Sequence, residues 1–376
     1  MDGLHFLKGL VGRDTGFKNL NLNLLKKMSN KCALGGYHSL FIDSDSFVWS
    51  FGNNNAGQLG LGDSTARNVP HKINNLQILS VSAGYNHSIF LDNNGNVFAC
   101  GNNQYGQLGS GDTTNRNIPA KINNLSQILS ISAGYYHSMF LDNNGNVFSC
   151  GFNYNEELGL GDTANRNLAT KINGVPKIKS ICSGCQHSIL RDFEGAVWVC
   201  GHNGTGALGL GDASNRTQFV KLNGLPKVQA IFGGIHFSMF IDAEGSVWCC
   251  GSNESGELGL GDLTQRNTPQ KNPNLSDIIA ICGGFYSSMF LDKHGHLFTS
   301  GRNTEGQLGL GDKNNRMKPE RVNGIPKINS IPNSAAAIYF FMIVDEDGSA
   351  WSCGDNNHGI LGLGDSVQRI NLAKSK

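Results

Sequence analysis

The sequence predicts an all-β fold: a seven-bladed β-propeller of four-stranded antiparallel blades. One Gly-rich stretch, seen at Gly101 to Asp112, is written seven times, opening at Gly52, Gly101, Gly151, Gly201, Gly251, Gly301 and Gly354. The copies are spaced 49, 50, 50, 50, 50 and 53 residues apart, and a fixed period means one supersecondary unit stacked many times. Each period holds four short β-rich runs separated by turns, the pattern of a propeller blade. The 50 Gly recur on the period, so they mark turns rather than a flexible linker.

The second unit shows the elements in order. Leu76 to Ala83 reads as a first strand, broken by Gly84. His87 to Leu91 reads as a second strand, and Asp92-Asn93-Asn94-Gly95 as the hairpin turn that follows it. Asn96 to Cys100 is the third strand, and the long loop from Gly101 to Asp112 comes next. Arg116 to Ile122 is a weaker fourth strand, whose Pro119 suits an edge. An aromatic three residues after the hairpin Gly position recurs as Trp49, Phe98, Phe148, Trp198, Trp248, Phe298 and Trp351, read here as core anchors between blades. The hairpin Gly is replaced by Ser46 in the first copy, and the seventh unit lacks the Gly and the His-Ser pair of its neighbours.

The domain organisation is an amino-terminal segment, 1–31, and a seven-repeat propeller, 32–376. Lys18 to Leu24 alternates strictly, a half-buried strand signal. The last copy is followed by Arg369 to Lys374 and then no further strand, so the alternating segment is expected to pair with the last blade and close the ring. Closure abolishes exposed sheet edges.

Composition narrows the function classes. Hydrophobic residues are 39% and charged residues 16% of the chain, a globular balance. With 30 basic and 29 acidic residues the net charge is +1, which gives no general attraction to nucleic acid or anionic membrane. No apolar run reaches spanning length, and Met1 to Phe17 lacks the pattern of a secretory signal. The expectation is an intracellular protein, cytoplasmic or nuclear. Five of the ten Cys (Cys100, Cys150, Cys200, Cys250 and Cys353) share one repeat position, too far apart to bridge, and are expected to be buried free thiols.

Residues that recur in every copy belong to the scaffold. The loop Asn (Asn103 and its equivalents) is expected to bond loop backbone, and the Asp112/Arg116 spacing, seven times repeated, to form a loop-closing pair or carboxylate cap. His38, His87, His137 and His187 share a position that Phe237 and Ser287 also occupy, which makes them structural rather than ligands. Cys182-x-x-Cys185 lacks a second pair for zinc. The Gly-Leu-Gly-Asp runs lack the Lys-Ser/Thr of a phosphate loop. No catalytic residue, metal ligand or cofactor is expected.

Variation between copies carries the functional signal. It selects Tyr105, Tyr154, Asn155, Glu156, Glu157, His202, Glu254, Glu257, Arg302, Glu305 and His358 as partner-binding candidates on a mixed, partly acidic face. Partner contact and unconstrained surface drift both fit this variation, since loops carry both.

The Gly-Tyr-x-His-Ser segments at Gly84 and Gly134, the Asp-x-x-Gly-x-Val-Phe/Trp hairpins and the Gly-x-Asn-x-x-Gly-Gln-Leu-Gly-x-Gly-Asp stretches resemble the regulator of chromosome condensation family over about residues 32–374. The resemblance implies a seven-bladed propeller with protein-binding faces. The family's founding member is a nucleotide-exchange factor for the Ran GTPase that also sits on chromatin. Two functions follow: a protein-interaction propeller that binds a protein partner through variable loops, or alternatively a guanine-nucleotide exchange factor for a Ran-like small GTPase. The unbroken spacing from Gly101 to Gly301 leaves no room for the inserted wedge such a factor uses. A plant ultraviolet-B photoreceptor of the family has Trp and Arg where this chain has Tyr37, Tyr85-Asn86 and Tyr135-Tyr136, which disfavours that reading.

Overall fold

Seven four-stranded antiparallel sheets follow one another along the chain in the computed structural model, which describes residues 31–332 and 337–374. Blade one is β1 (Cys32–Leu34), β2 (His38–Ile42), β3 (Phe47–Gly52) and β4 (Arg67–Gln77). Blade two is β5 (Ser80–Ala83), β6 (His87–Leu91), β7 (Val97–Gly101) and β8 (Arg116–Lys121). Blades three to six occupy 128–171, 178–222, 228–271 and 278–321. In blade seven, Ile328–Ser330, Phe340–Asp345, Ala350–Gly354 and Arg369–Lys374 pair in sequence order. The first strands of blades one to six touch in succession, so first strands line the centre and fourth strands form the rim. No helix among the described residues is long and apolar enough to cross a membrane.

The core lies between blades rather than at the axis. Val97 and Ile89 of blade two pack with Ile128, Ile131 and Phe140 of blade three, and the same pairing of neighbours recurs round the ring. Phe90, Phe140, Phe240 and Phe290 fill the same place on the second strand and are fully buried. Each such ring is worth roughly 1.5–3 kcal/mol of apolar burial. All ten Cys are buried.

Two details of the sequence reading change. Leu76 and Gln77 belong to β4, not to the first strand of blade two, because blade one has a long outer strand whose Gln77 pairs with Phe47. The hairpin aromatics lie half-buried at the margins of the inter-blade cores, facing the outer strand, as in Trp248 opposite Lys271. There the indole N–H donates to the hairpin carboxylate: Trp49 to Asp43 at 2.8 Å and Trp248 to Asp242 at 2.9 Å. In the four Trp copies, a side chain that must reach this acceptor cannot also sink into the core. Closure is seen within the described residues. The strand that would follow Arg369–Lys374 in the repeat pattern is β1, which opens blade one, and blade seven is complete from its own four strands. The ring closes between whole blades: Ser39 donates to the Ile360 carbonyl at 3.0 Å, and Phe51 and Leu34 join the core of Phe340 and Ile343. Lys18 to Leu24 lies outside the described residues.

Candidate protein-interaction face

The backbone brings all seven variable loops to one face. The second residue of each loop donates its N–H to the residue before the His position of its own blade: Asn102 to Asn86, Phe152 to Tyr136, Arg302 to Tyr286, Asp355 to Tyr339. Long loops and Gly-x-x-His turns are therefore neighbours. The hairpin turns lie at the opposite ends of the strands.

Scaffold residues hold each loop. In blade two, Asn103 donates to the Asp112 carbonyl at 3.0 Å and accepts from Leu108 N–H at 2.9 Å. Asp112 accepts from Thr114 N–H and pairs with Arg116 at 2.7 Å, so the ion pair and the cap are one arrangement. Arg116 holds this carboxyl well below its usual range. The pair recurs in all seven blades at 2.5 to 2.7 Å.

The histidines staple loop to blade. Ser138 of blade three donates to the Gln107 carbonyl of the blade-two loop at 2.7 Å, and His87 of blade two meets the same Ser138 oxygen at 3.1 Å. A hydroxyl already donating must accept here, which places the His87 proton on Nε2. The same staple joins His38 to Ser88, His137 to Ser188 and His187 to Ser238. Gly84 is required by close approach, since a Cβ there would lie 2.1 Å from the His87 ring. Burial lowers these four histidines to about 3, so they are neutral.

The candidate residues divide into two kinds. Tyr154 is 76% exposed, Glu254 and His358 are exposed, and Tyr105, Asn155, Glu156, His202, Arg302 and Glu305 are half-buried at the surface. Glu157 and Glu257 are instead buried, at 1% and 0% exposure, and offer no side chain to a partner. They stand where other copies have Gln58, Gln107 and Gln307 and do the same work: Glu157 accepts from Asn155 N–H and Glu257 from Ser255 N–H, as Gln107 accepts from Tyr105 N–H. Burial raises Glu157 to about 8 and raises Glu257 as well. The face is accordingly less acidic than the letters suggest.

What the sequence reading did not assemble is an aromatic arc. Tyr85 stacks on Tyr135 at 4.2 Å between centroids. Tyr135 meets Tyr136 at 4.7 Å, Tyr136 meets Tyr105 at 5.4 Å, and Tyr105 meets Phe152 at 4.8 Å. Phe152 leads to Tyr154 at 6.3 Å. In the other direction Tyr37 joins Tyr85 and His358, both at 5.8 Å. Further round, Phe285 contacts Tyr286 and Tyr339, and the Arg302 guanidinium lies 4.9 Å over the Tyr339 ring. Among the candidates, Tyr105, Tyr154, Arg302 and His358 join this arc, while His202 pairs with His236 at 5.5 Å on the far side. Apart from the loop residue Phe152, the missed members are the variable letters of the Gly-x-x-His turns and their blade-seven equivalent, whose aromatic bias from Tyr37 to Tyr339 was the available signal. Among the described residues no three His, Cys, Asp or Glu side chains are placed to share a metal ion.

Fold and face together define a ring-shaped scaffold with a patterned loop surface. Comparison with known proteins gives the family. The model of the regulator of chromosome condensation (RCC1) repeat matches residues 45–91, 94–141, 144–190, 194–241, 244–291 and 294–333, and a second RCC1 repeat model matches 78–107, 128–156 and 228–257. The chain belongs to the RCC1 repeat family. Among solved structures it is similar to yeast RCC1 (Prp20) bound to Kap60, with TM-score 0.81, 20% identity, and coverage of 100% of this chain and 91% of that one. Prp20p from Saccharomyces cerevisiae, reported with its binding properties to Gsp1p and histones, matches with TM-score 0.81 and 20% identity over 96% of this chain and 91% of that one. Human WBSCR16 matches with TM-score 0.73 and 22% identity over 81% and 84%. At these identities the likeness concerns the fold.

Proposed function

We propose that this chain is a protein-binding propeller that presents its loop face to a protein partner, with the arc from Tyr37 to Tyr154 as the docking centre. The observation that supports it is the arc itself. Half-exposed Tyr and Phe rings in mutual contact supply large, rigid contact area with a polar tip, the composition of interface centres. The rim of Asn155, Glu156, Glu254 and His202 is polar, as interface rims are. The test is affinity capture with the wild-type chain, a Tyr105→Ala/Tyr136→Ala/Tyr154→Ala variant, and Glu194→Ala on the hairpin face as a control. The expected result is a protein retained by wild type and control and lost by the triple variant. Equal capture by all three would overturn the reading.

A second reading is guanine-nucleotide exchange on a small GTPase. It is favoured only by the likeness to Prp20p, a protein studied with Gsp1p. The regular loops of blades two to six, none carrying an inserted hairpin, weigh against it. Nucleotide release from a panel of small GTPases decides: acceleration supports it, and unchanged rates end it.

A further inference from the structure

Between blades six, seven and one the loop face holds a cavity of about 560 Å³, lined by Tyr37, Tyr339, His358, Asp355, Glu305 and their neighbours. Two features single it out. Its walls are aromatic: Tyr37 packs edge-on to His358 at 5.8 Å, and Tyr339 already carries the Arg302 guanidinium on its ring. Its floor holds a buried carboxylate without a cation. Asp355 is only 9% exposed, its Oδ1 accepts from Asn357 N–H at 3.0 Å, and no Lys or Arg pairs with it among the described residues.

Comparison between blades shows that the charge is not needed for the loop. The equivalent residues Asn53 and Asn102 accept the same backbone N–H, from Asn55 and Gln104. They also accept from Gln58 and Gln107, at 3.0 and 2.6 Å. Blade seven has Ile360 in place of that Gln, so Asp355 lacks this donor. The Asp355 carboxylate opens on the cavity, where no Lys or Arg of the described residues meets it. Glu305, held by Gln368 at 2.8 Å, adds a second carboxylate at the mouth. Arg302 adjoins the walls and is engaged with Thr304 and the Tyr339 ring, and Lys313 bonds Gln368 at 2.8 Å rather than either carboxylate.

We propose that this cavity receives a Lys or Arg side chain of the partner protein, its cation against the rings of Tyr37 and Tyr339 and its charge met by Asp355 and Glu305. Aromatic faces and carboxylates both attract a cation, and together they favour it over a neutral side chain of similar size. The proposal rests on the loop face being the docking face, and it names what that face takes in.

The test uses the full chain and needs no partner. N-acetyl-lysine methylamide, N-acetyl-arginine methylamide and the neutral norleucine analogue are titrated by saturation-transfer NMR. The expected result is binding of a cationic probe and no binding of norleucine, weakened about tenfold by Asp355→Asn and unchanged by Glu194→Ala. Asp355→Asn installs the residue that two other loops carry, so folding is preserved, and a melt checks it. Tyr339→Leu is the second variant, expected to weaken the same probe. Absence of binding by both cations, equal binding of norleucine, or insensitivity to Asp355→Asn would overturn the proposal. Loss of the cation site while the arc still captures a partner refutes only the pocket; a working cation site beside unchanged capture by the triple Tyr variant refutes only the docking face.

Discussion

Single positions show where a repeat bends its own rule. Glu156 occupies the left-handed conformation, φ 69°, that Gly takes in the other six loops. An L side chain is disfavoured there. Glu156→Gly is therefore expected to stabilise the fold by about 0.5–1 kcal/mol, read as a raised denaturant midpoint with unchanged slope. Glu157 gives a second prediction. Its folded pKa, about 8, lies above the unfolded value, so the native state holds its proton more tightly. Stability from this group is full below about pH 4.5 and is lost as pH rises through about 8. Glu157→Gln, which copies Gln107, is expected to stabilise by on the order of 2 kcal/mol at pH 7.5 and by little at pH 4.5, measured by melts at both pH values. The sequence marked Glu157 as a surface acid because adjacent letters vary. The Gln of the sister loops was the clue that this position points beneath the loop.

At the scale of the element, each loop is a closed circuit of Asn, Asp and Arg. Asn103→Ala removes the bonds to Leu108 N–H and the Asp112 carbonyl and leaves buried loop backbone unsatisfied. A loss of about 2 kcal/mol is expected in chemical denaturation. Asp112→Ala, at an exposed pair, is expected to cost less, about 1 kcal/mol, mostly through the lost cap. The circuit was legible in the sequence because it is local, nine residues from Asn to Asp and four from Asp to Arg. The aromatic arc was not legible in the same way. Tyr105 and Tyr136 are 31 positions apart and meet only because blade three is placed beside the loop of blade two. Periodicity names the letters; adjacency between blades needs the ring.

For the whole molecule, the buried histidines set the acid response. Their folded pKa of about 3 is below the unfolded value, so the unfolded chain binds the extra protons. Stability is expected to fall as pH drops from about 6.5 towards 3. His187→Phe, the residue found at Phe237 in the next blade, is expected to make the melting temperature fall less steeply with acid. The fold class and repeat count were evident from the period, and among the described residues the ring closes between blades seven and one. Nothing local in Arg369 to Lys374 says that β1 begins a separate blade. That closure has a mechanical consequence. Six junctions between blades are spanned by continuous chain, whereas blades seven and one meet through side chains and backbone contacts, among the described residues. The junction works as a clasp, and the cavity of Tyr37, Tyr339 and His358 straddles it. A guest lodged there would act as a rivet, so amide exchange in β1 is the place where occupancy and ring opening register together.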